Sequence, residues 1–206
     1  MCPFCYIGKK RFENALQQFA HRDQVEVAWK SFQLNPDLVT GQYANINDYL
    51  AAVKGISREQ AAEMNRQVAA MAAESGVVMN PERSIPANSF RAHRLIHFAR
   101  SQGNGTEVAG LLFRAYFEDG LNVDDVDVLV DVAGNAGLDR DETRRFLEDR
   151  TLPLAEAVEQ DIYEARQIGV RGVPYFVFGD KYAVSGAQAE ATFLGALEQT
   201  WKESGG

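Results

Sequence analysis

The chain has 206 residues, 46% apolar and 24% charged, ordinary proportions for a globular protein. They exclude a disordered tail, a collagen-like repeat and a disulfide-rich miniprotein, and no stretch approaches the roughly 18 consecutive apolar residues of a membrane span. The net charge of −8 is local: residues 118–149 hold eleven acids and three bases, and the remainder balances at 18 of each.

In chain order, Phe12, Leu16 and Phe19 recur at helical spacing, opposite Lys9, Lys10, Glu13 and Gln17. This predicts a first helix from the two cysteines to about Ala20, with His21 placed to complement the dipole at its C-terminal end. Val25, Val27 and Trp29 then alternate with Glu26, Ala28 and Lys30, and the segment continues through Phe32 and Leu34 to Asn35-Pro36. That is strand patterning, stopped by proline.

From Asp48 to about Gly169 the pattern becomes helical. Ser57 with Gln60 forms a capping box for a helix ending at Gly76. Asn88 is placed to cap a helix containing Phe90, Leu95 and Phe98, broken at Gly103 and Gly105. Val108, Leu111, Leu112, Ala115 and Tyr116 mark the next helix, and Val126, Leu129, Val130 and Ala133 another. Asp139 with Glu142 is a second capping box, and Val158, Ile162 and Ala165 mark a helix stopping at Gly169. Val173 to Phe178, the turn Gly179-Asp180 and Tyr182 to Val184 then read as a β-hairpin. Phe193, Leu197 and Trp201 give a closing amphipathic helix. The order predicts an α/β domain built from residues 1–36 and 170–206, with a helical domain of residues 37–169 inserted, since so long a connection is rarely a loop.

The chain has two cysteines, Cys2 and Cys5, and no signal peptide precedes them. Taken at face value this places the chain in a reducing cytoplasm, where a close cysteine pair is catalytic, redox-sensing or metal-binding. Cys2-Pro3-Phe4-Cys5 at a helix start carries chemistry, because unpaired N–H groups and the helix dipole favour thiolate over thiol. Pro3 suits the first helical turn. Cys2 at the start is the candidate attacking thiol, and Cys5, one turn in, the candidate resolving thiol. Pro-Phe holds no cation, so the Cys2 pKa should fall less than it would beside a histidine between the cysteines.

Half a zinc site is the other use of this spacing, but it needs two more ligands. The histidines are His21, His93 and His97; the latter two, four apart, have metal-permitting spacing and read as polar residues of a helix surface. Val173-Pro174 is the second informative feature, since proline removes a ladder donor from a strand.

Several motifs together resemble one family. They are Cys2-Pro3-Phe4-Cys5-Tyr6-Ile7-Gly8-Lys9, Asn88-Ser89-Phe90-Arg91-Ala92-His93-Arg94, Leu112-Phe113-Arg114-Ala115-Tyr116-Phe117, Gly172 to Phe178, and Tyr182-Ala183-Val184-Ser185-Gly186-Ala187-Gln188. The chain resembles the DsbA-like thioredoxin-fold oxidoreductases over nearly its full length, specifically the FrnE-type branch of mostly cytoplasmic bacterial members, related to 2-hydroxychromene-2-carboxylate isomerases and kappa-class glutathione transferases. The resemblance implies a thioredoxin-like α/β fold with a large inserted helical domain. Cys2 and Cys5 become a redox pair, Val173-Pro174 the cis-proline loop facing it, and Pro3, Phe4 and His93 further substrate-site residues. Phe4 stands where relatives often carry tryptophan. The family also has a β-strand before the cysteines, where only Met1 stands here; the resemblance implies a strand upstream and, from these residues alone, an open sheet edge.

The leading function is thiol–disulfide exchange on protein or small thiol substrates, glutathione included, with no cofactor beyond the cysteine pair. A glutathione-dependent isomerase or kappa-type transferase is the alternative, although such relatives generally carry serine at the position of Cys2. A non-catalytic protein binding through the acidic face of residues 118–149 is the third. Neither nucleic acid nor a membrane is an expected partner, for want of a basic stripe and of a spanning segment. The protein is expected to be a monomer or homodimer.

Overall fold

The computed structural model describes residues 1–205. Helix α1 (Pro3–Gln18) opens with Cys2 at its N-cap and proline at its first position. It buries Ile7, Phe12 and Ala15 and ends two residues before Ala20. His21 lies past its last turn, where the ring stacks on Trp201 with centroids 4.2 Å apart. That aromatic contact, rather than a dipole charge, defines its place.

The middle of the chain is helical. Asn45 caps α2 (Ile46–Lys54), accepting from the Asn47 and Asp48 N–H groups. The Ser57–Gln60 capping box starts α3 (Arg58–Glu74), with both reciprocal bonds formed. Next come α4 (Phe90–Ser101) and α5 (Gly105–Phe117). Asn88 precedes α4 by one residue more than capping requires. Its Oδ1 still accepts from the Phe90 N–H, while its Nδ2 ties down the Pro36 and Leu38 carbonyls. Asp125 caps α6 (Val126–Asn135) and Asp139 caps α7 (Arg140–Glu148); α8 (Ala155–Gln167) closes the block. Leu95, Val108, Leu112, Val123 and Leu129 are fully buried at its centre, each contributing about 1.5–3 kcal/mol through area removed from water.

Strands β1 (Tyr175–Phe178) and β2 (Tyr182–Ser185) pair antiparallel, with Phe176 opposite Val184. Gly179 and Asp180 both have positive φ, +53° and +57°, the left-handed pair that a tight two-residue hairpin turn demands. Helix α9 (Glu190–Glu203) follows and packs most extensively on α1. Phe12, Phe19, Phe178, Val184, Phe193 and Leu197 form a second core between α1, the hairpin and α9. The described residues are thus mostly helical with one small two-stranded sheet.

Residues 25–34 are not assigned as a strand. Val25, Val27 and Trp29 are half-buried while Glu26, Ala28 and Lys30 are exposed, the expected alternation, and these residues pair with no strand among the described residues. Here the Val27 carbonyl accepts from Thr106 Oγ1 and the Ser31 N–H donates to Asp161 Oδ2.

Candidate active site

Cys2 sits at the junction of α1 and the segment preceding β1. Its Sγ lies 3.4 Å from the Val173 carbonyl oxygen, to which the thiol donates, and the Val173–Pro174 peptide is cis. The Cys5 N–H donates to the Cys2 carbonyl across the first turn. Both cysteines are free and partly buried. The contact with the Cys5 side chain, together with the Cys5 and Phe4 N–H groups, lowers the Cys2 pKa to about 7 although burial pushes it up. Cys5 is driven strongly upward by that same contact and by burial. The pair is therefore split into one thiol that ionises near neutrality and one that stays protonated.

Close packing holds this junction. Gly8, on the next turn of α1, leaves room for the proline loop: a Cβ there would lie 3.0 Å from Pro174 Cγ and 3.3 Å from Phe176 Cζ. Phe4 is 39% exposed beside the cysteines, an apolar ring on the rim. Pro3, Phe4, Trp29, His93, Val173 and Pro174 line a common space beside them. Every residue that the sequence singled out for the site borders this one space.

A family model described as a DSBA-like thioredoxin domain matches residues 1–198. The chain belongs to the DsbA-like thioredoxin family. The uncharacterized protein YwbO of Bacillus subtilis (strain 168) is 30% identical over 205 residues, covering 98% of this chain and 94% of that one. The solved structure of a probable DsbA oxidoreductase from Streptomyces coelicolor superposes with a TM-score of 0.91 at 38% identity, covering 98% of this chain and 86% of that one. A 2-hydroxychromene-2-carboxylate isomerase superposes with a TM-score of 0.70 at 16% identity, covering 99% and 93%, a likeness of fold. No helix among the described residues of this DsbA-like protein is long and apolar enough to cross a membrane.

The two histidines of α4 are not surface residues, and they face different surroundings. His93 borders the cavity, its Nδ1 buried without a hydrogen-bond partner, and burial lowers its pKa to about 4. His97 is 4% exposed and belongs to a polar cluster away from the cysteines. Arg100 donates to His97 Nδ1 at 3.0 Å; since arginine only donates, the ring proton sits on Nε2. That nitrogen lies 3.0 Å from Asp161 Oδ2 and 3.1 Å from Ser31 Oγ. Asp161 also accepts from the Ser31 N–H and from Lys30 Nζ, both at 2.8 Å. The cluster bolts residues 30–31, which sit beside Trp29 and Phe32 of the cavity wall, to α4 and α8. Sequence reading missed it because its members lie 130 residues apart; a polar residue at position 31 on the inward side of the alternation was the one available hint.

His93 gives a pH test of this burial. Below its ordinary pKa of 6.5 the unfolded chain takes up a proton that the folded protein excludes, so stability falls as pH drops from about 6.5 to about 4 and changes no further below that. The shift corresponds to about 3 kcal/mol. His97 is shifted in the same direction, so the comparison is between wild type and His93→Gln in urea denaturation at several pH values. The variant should show the shallower acid loss; equal slopes would refute a buried neutral His93.

Proposed function

We propose that this protein is a thiol–disulfide oxidoreductase in which Cys2 attacks and Cys5 resolves. The observation that carries the reading is the split pair at the start of α1. Cys2 has its pKa lowered to about 7 and its sulfur 3.4 Å from the Val173 carbonyl, while its partner is held protonated. At pH 7 such a thiol is about half thiolate, against a few per cent for an ordinary cysteine.

In the reducing direction the Cys2 thiolate attacks one sulfur of a substrate disulfide. A Cys2–substrate disulfide forms and the other substrate sulfur leaves as thiolate, then takes up a proton. Cys5 then loses its proton to solvent and attacks Cys2 Sγ. The Cys2–Cys5 disulfide forms and the second substrate thiolate departs. Two electrons have passed from the pair to the substrate, and the reverse sequence oxidises a dithiol. Forming the mixed disulfide removes the negative charge at Cys2 and with it the main influence holding the Cys5 proton, so the second step is enabled by the first. Protein or small thiol substrates reach the sulfur from the Phe4 rim, and glutathione is the small-thiol candidate.

A redox titration of the Cys2–Cys5 pair in glutathione buffers, combined with insulin reduction, tests the reading. The pair is expected to interconvert reversibly by two electrons and to catalyse insulin precipitation. A pair that does not cycle sinks the oxidoreductase assignment.

A further inference from the structure

A groove of about 300 Å³ opens on the side of α1 turned away from the proline loop. Gly8 meets Pro174, whereas Tyr6, Lys10 and Glu13 stand roughly half a turn round the helix from it and line this separate space. The other walls are Gly76 and Val77, at the exit of α3, and one side of α5. The groove therefore sits where the cysteine-bearing helix meets the helical block, the kind of junction at which ligand sites are preferentially found. Glycines keep it open: Gly76 has φ +75°, and a Cβ on Gly110 would lie 3.3 Å from Lys9 Nζ. Val77 and Leu111 supply its apolar part.

Its charges are sorted by sign along its length. Helices α1 and α5 run antiparallel across it: the Tyr6 ring stacks on Phe113 and its hydroxyl donates to Glu118, whereas Lys9, further along α1, lies over Gly110. Continuing that register sets Glu13 level with Glu107, while the Lys10 side chain leans back towards the Tyr6 end, where Arg114 stands. One end thus carries Lys10 and Arg114 and the other Glu13 and Glu107. Lys10 and Glu107 pair with no opposite charge among the described residues. Arg114 reaches Glu118 only at 3.7 Å, and the other oxygen of that carboxylate accepts from Tyr6. Glu13 holds Lys9. Glu107 and Arg114 lie two turns apart on α5, about 10 Å along its axis.

We propose that this groove binds a small zwitterion, a peptide of about three residues held by its two free termini, with the carboxylate at Arg114 and Lys10 and the ammonium group at Glu107 and Glu13. A purely anionic ligand would meet the two acids, and a purely cationic one the two bases. An extended tripeptide spans about 10 Å, the separation of the two ends. The arginine fork suits a carboxylate, and Val77 with Leu111 favours an apolar middle side chain. Cysteine chemistry is not required, so this site and the redox function stand or fall separately.

The test titrates the full-length protein with glycyl-leucyl-glycine, followed by calorimetry and by the backbone amide NMR signals of Gly76 and Gly110. One equivalent should bind with a Kd at or below about 1 mM and shift both glycine signals. N-acetyl-glycyl-leucyl-glycinamide keeps the shape, loses both charges and should bind at least about 10-fold more weakly. Arg114→Ala and Glu107→Gln should each weaken the free peptide by a similar factor. Gly110→Leu, at a helical position where only the flexible end of Lys9 must give way, should keep the fold by circular dichroism and abolish binding. Absence of saturation at about ten times that Kd limit overturns the proposal. So does equal binding of the blocked peptide, which would mean apolar adhesion alone. Acetate producing the same shifts at the same concentrations would mean a simple anion site and equally overturn it.

Discussion

Cys2→Ser is expected to reduce disulfide exchange by at least ~10³-fold, the scale on which covalent catalysis is lost with its nucleophile. A serine hydroxyl at the same helix start is not ionised near pH 7 and forms no disulfide. Cys5→Ala should behave differently, because it leaves the attacking sulfur in place. The first step proceeds, the resolving step cannot, and one equivalent of substrate accumulates as a mixed disulfide visible by mass spectrometry under non-reducing conditions. The same variant removes the largest influence lowering the Cys2 pKa. The midpoint of Cys2 alkylation against pH should therefore rise from about 7 in wild type towards the ordinary thiol value. An unchanged midpoint would contradict the assignment of that shift to the Cys5 contact. Equal loss of activity in both variants without trapping would remove the attacking and resolving roles.

Asp161→Ala should destabilise the protein by about 3–5 kcal/mol, the penalty for removing one member of a buried polar or ionic group. Asp161 is 3% exposed and accepts from the Ser31 N–H, with the His97 Nε2–H beside it. Removing the carboxylate leaves both donors buried without it, at about 1–3 kcal/mol for each one unsatisfied. Lys30 makes an instructive contrast. It bonds to the same carboxylate, but its side chain is 56% exposed and water replaces the lost partner, so Lys30→Met should cost less than about 1 kcal/mol. Urea midpoints at pH 7 measure both. An Asp161→Ala cost near that of Lys30→Met would show that the cluster does not fasten residues 30–31 to the helices.

Much of the local structure was legible because it is written in short-range physics. The Ser57–Gln60 box, the Gly179-Asp180 turn and the proline behind Cys2 each act within a few residues, where side-chain identity decides the backbone. The inequality of the two thiols was legible for a related reason. A helix start acts on whichever thiol stands there, and the burial of Cys5 follows from its place one turn in.

Non-local features were not legible. Alternation along residues 25–34 indicated which side chains point inward, but not that the Ser31 N–H would meet Asp161 of α8. His93 and His97 carry the same helical signature, yet one borders the cysteine cavity and the other meets Asp161 from a helix more than sixty residues away. The charge imbalance of residues 118–149 fixed a composition without fixing contacts; in the fold, Asp124, Asp127 and Asp131 meet Arg91, Arg144 and Arg140.

By itself the sequence determined that two thiols, three residues apart at a helix start, would form a chemically unequal pair. Helix geometry and the dipole at its first turn are local consequences of chain identity. The tertiary structure alone decided what surrounds that pair: the Val173 carbonyl at the Cys2 sulfur and the neutral His93. Those depend on packing between segments as much as 171 residues apart, and no local pattern encodes which surfaces will meet.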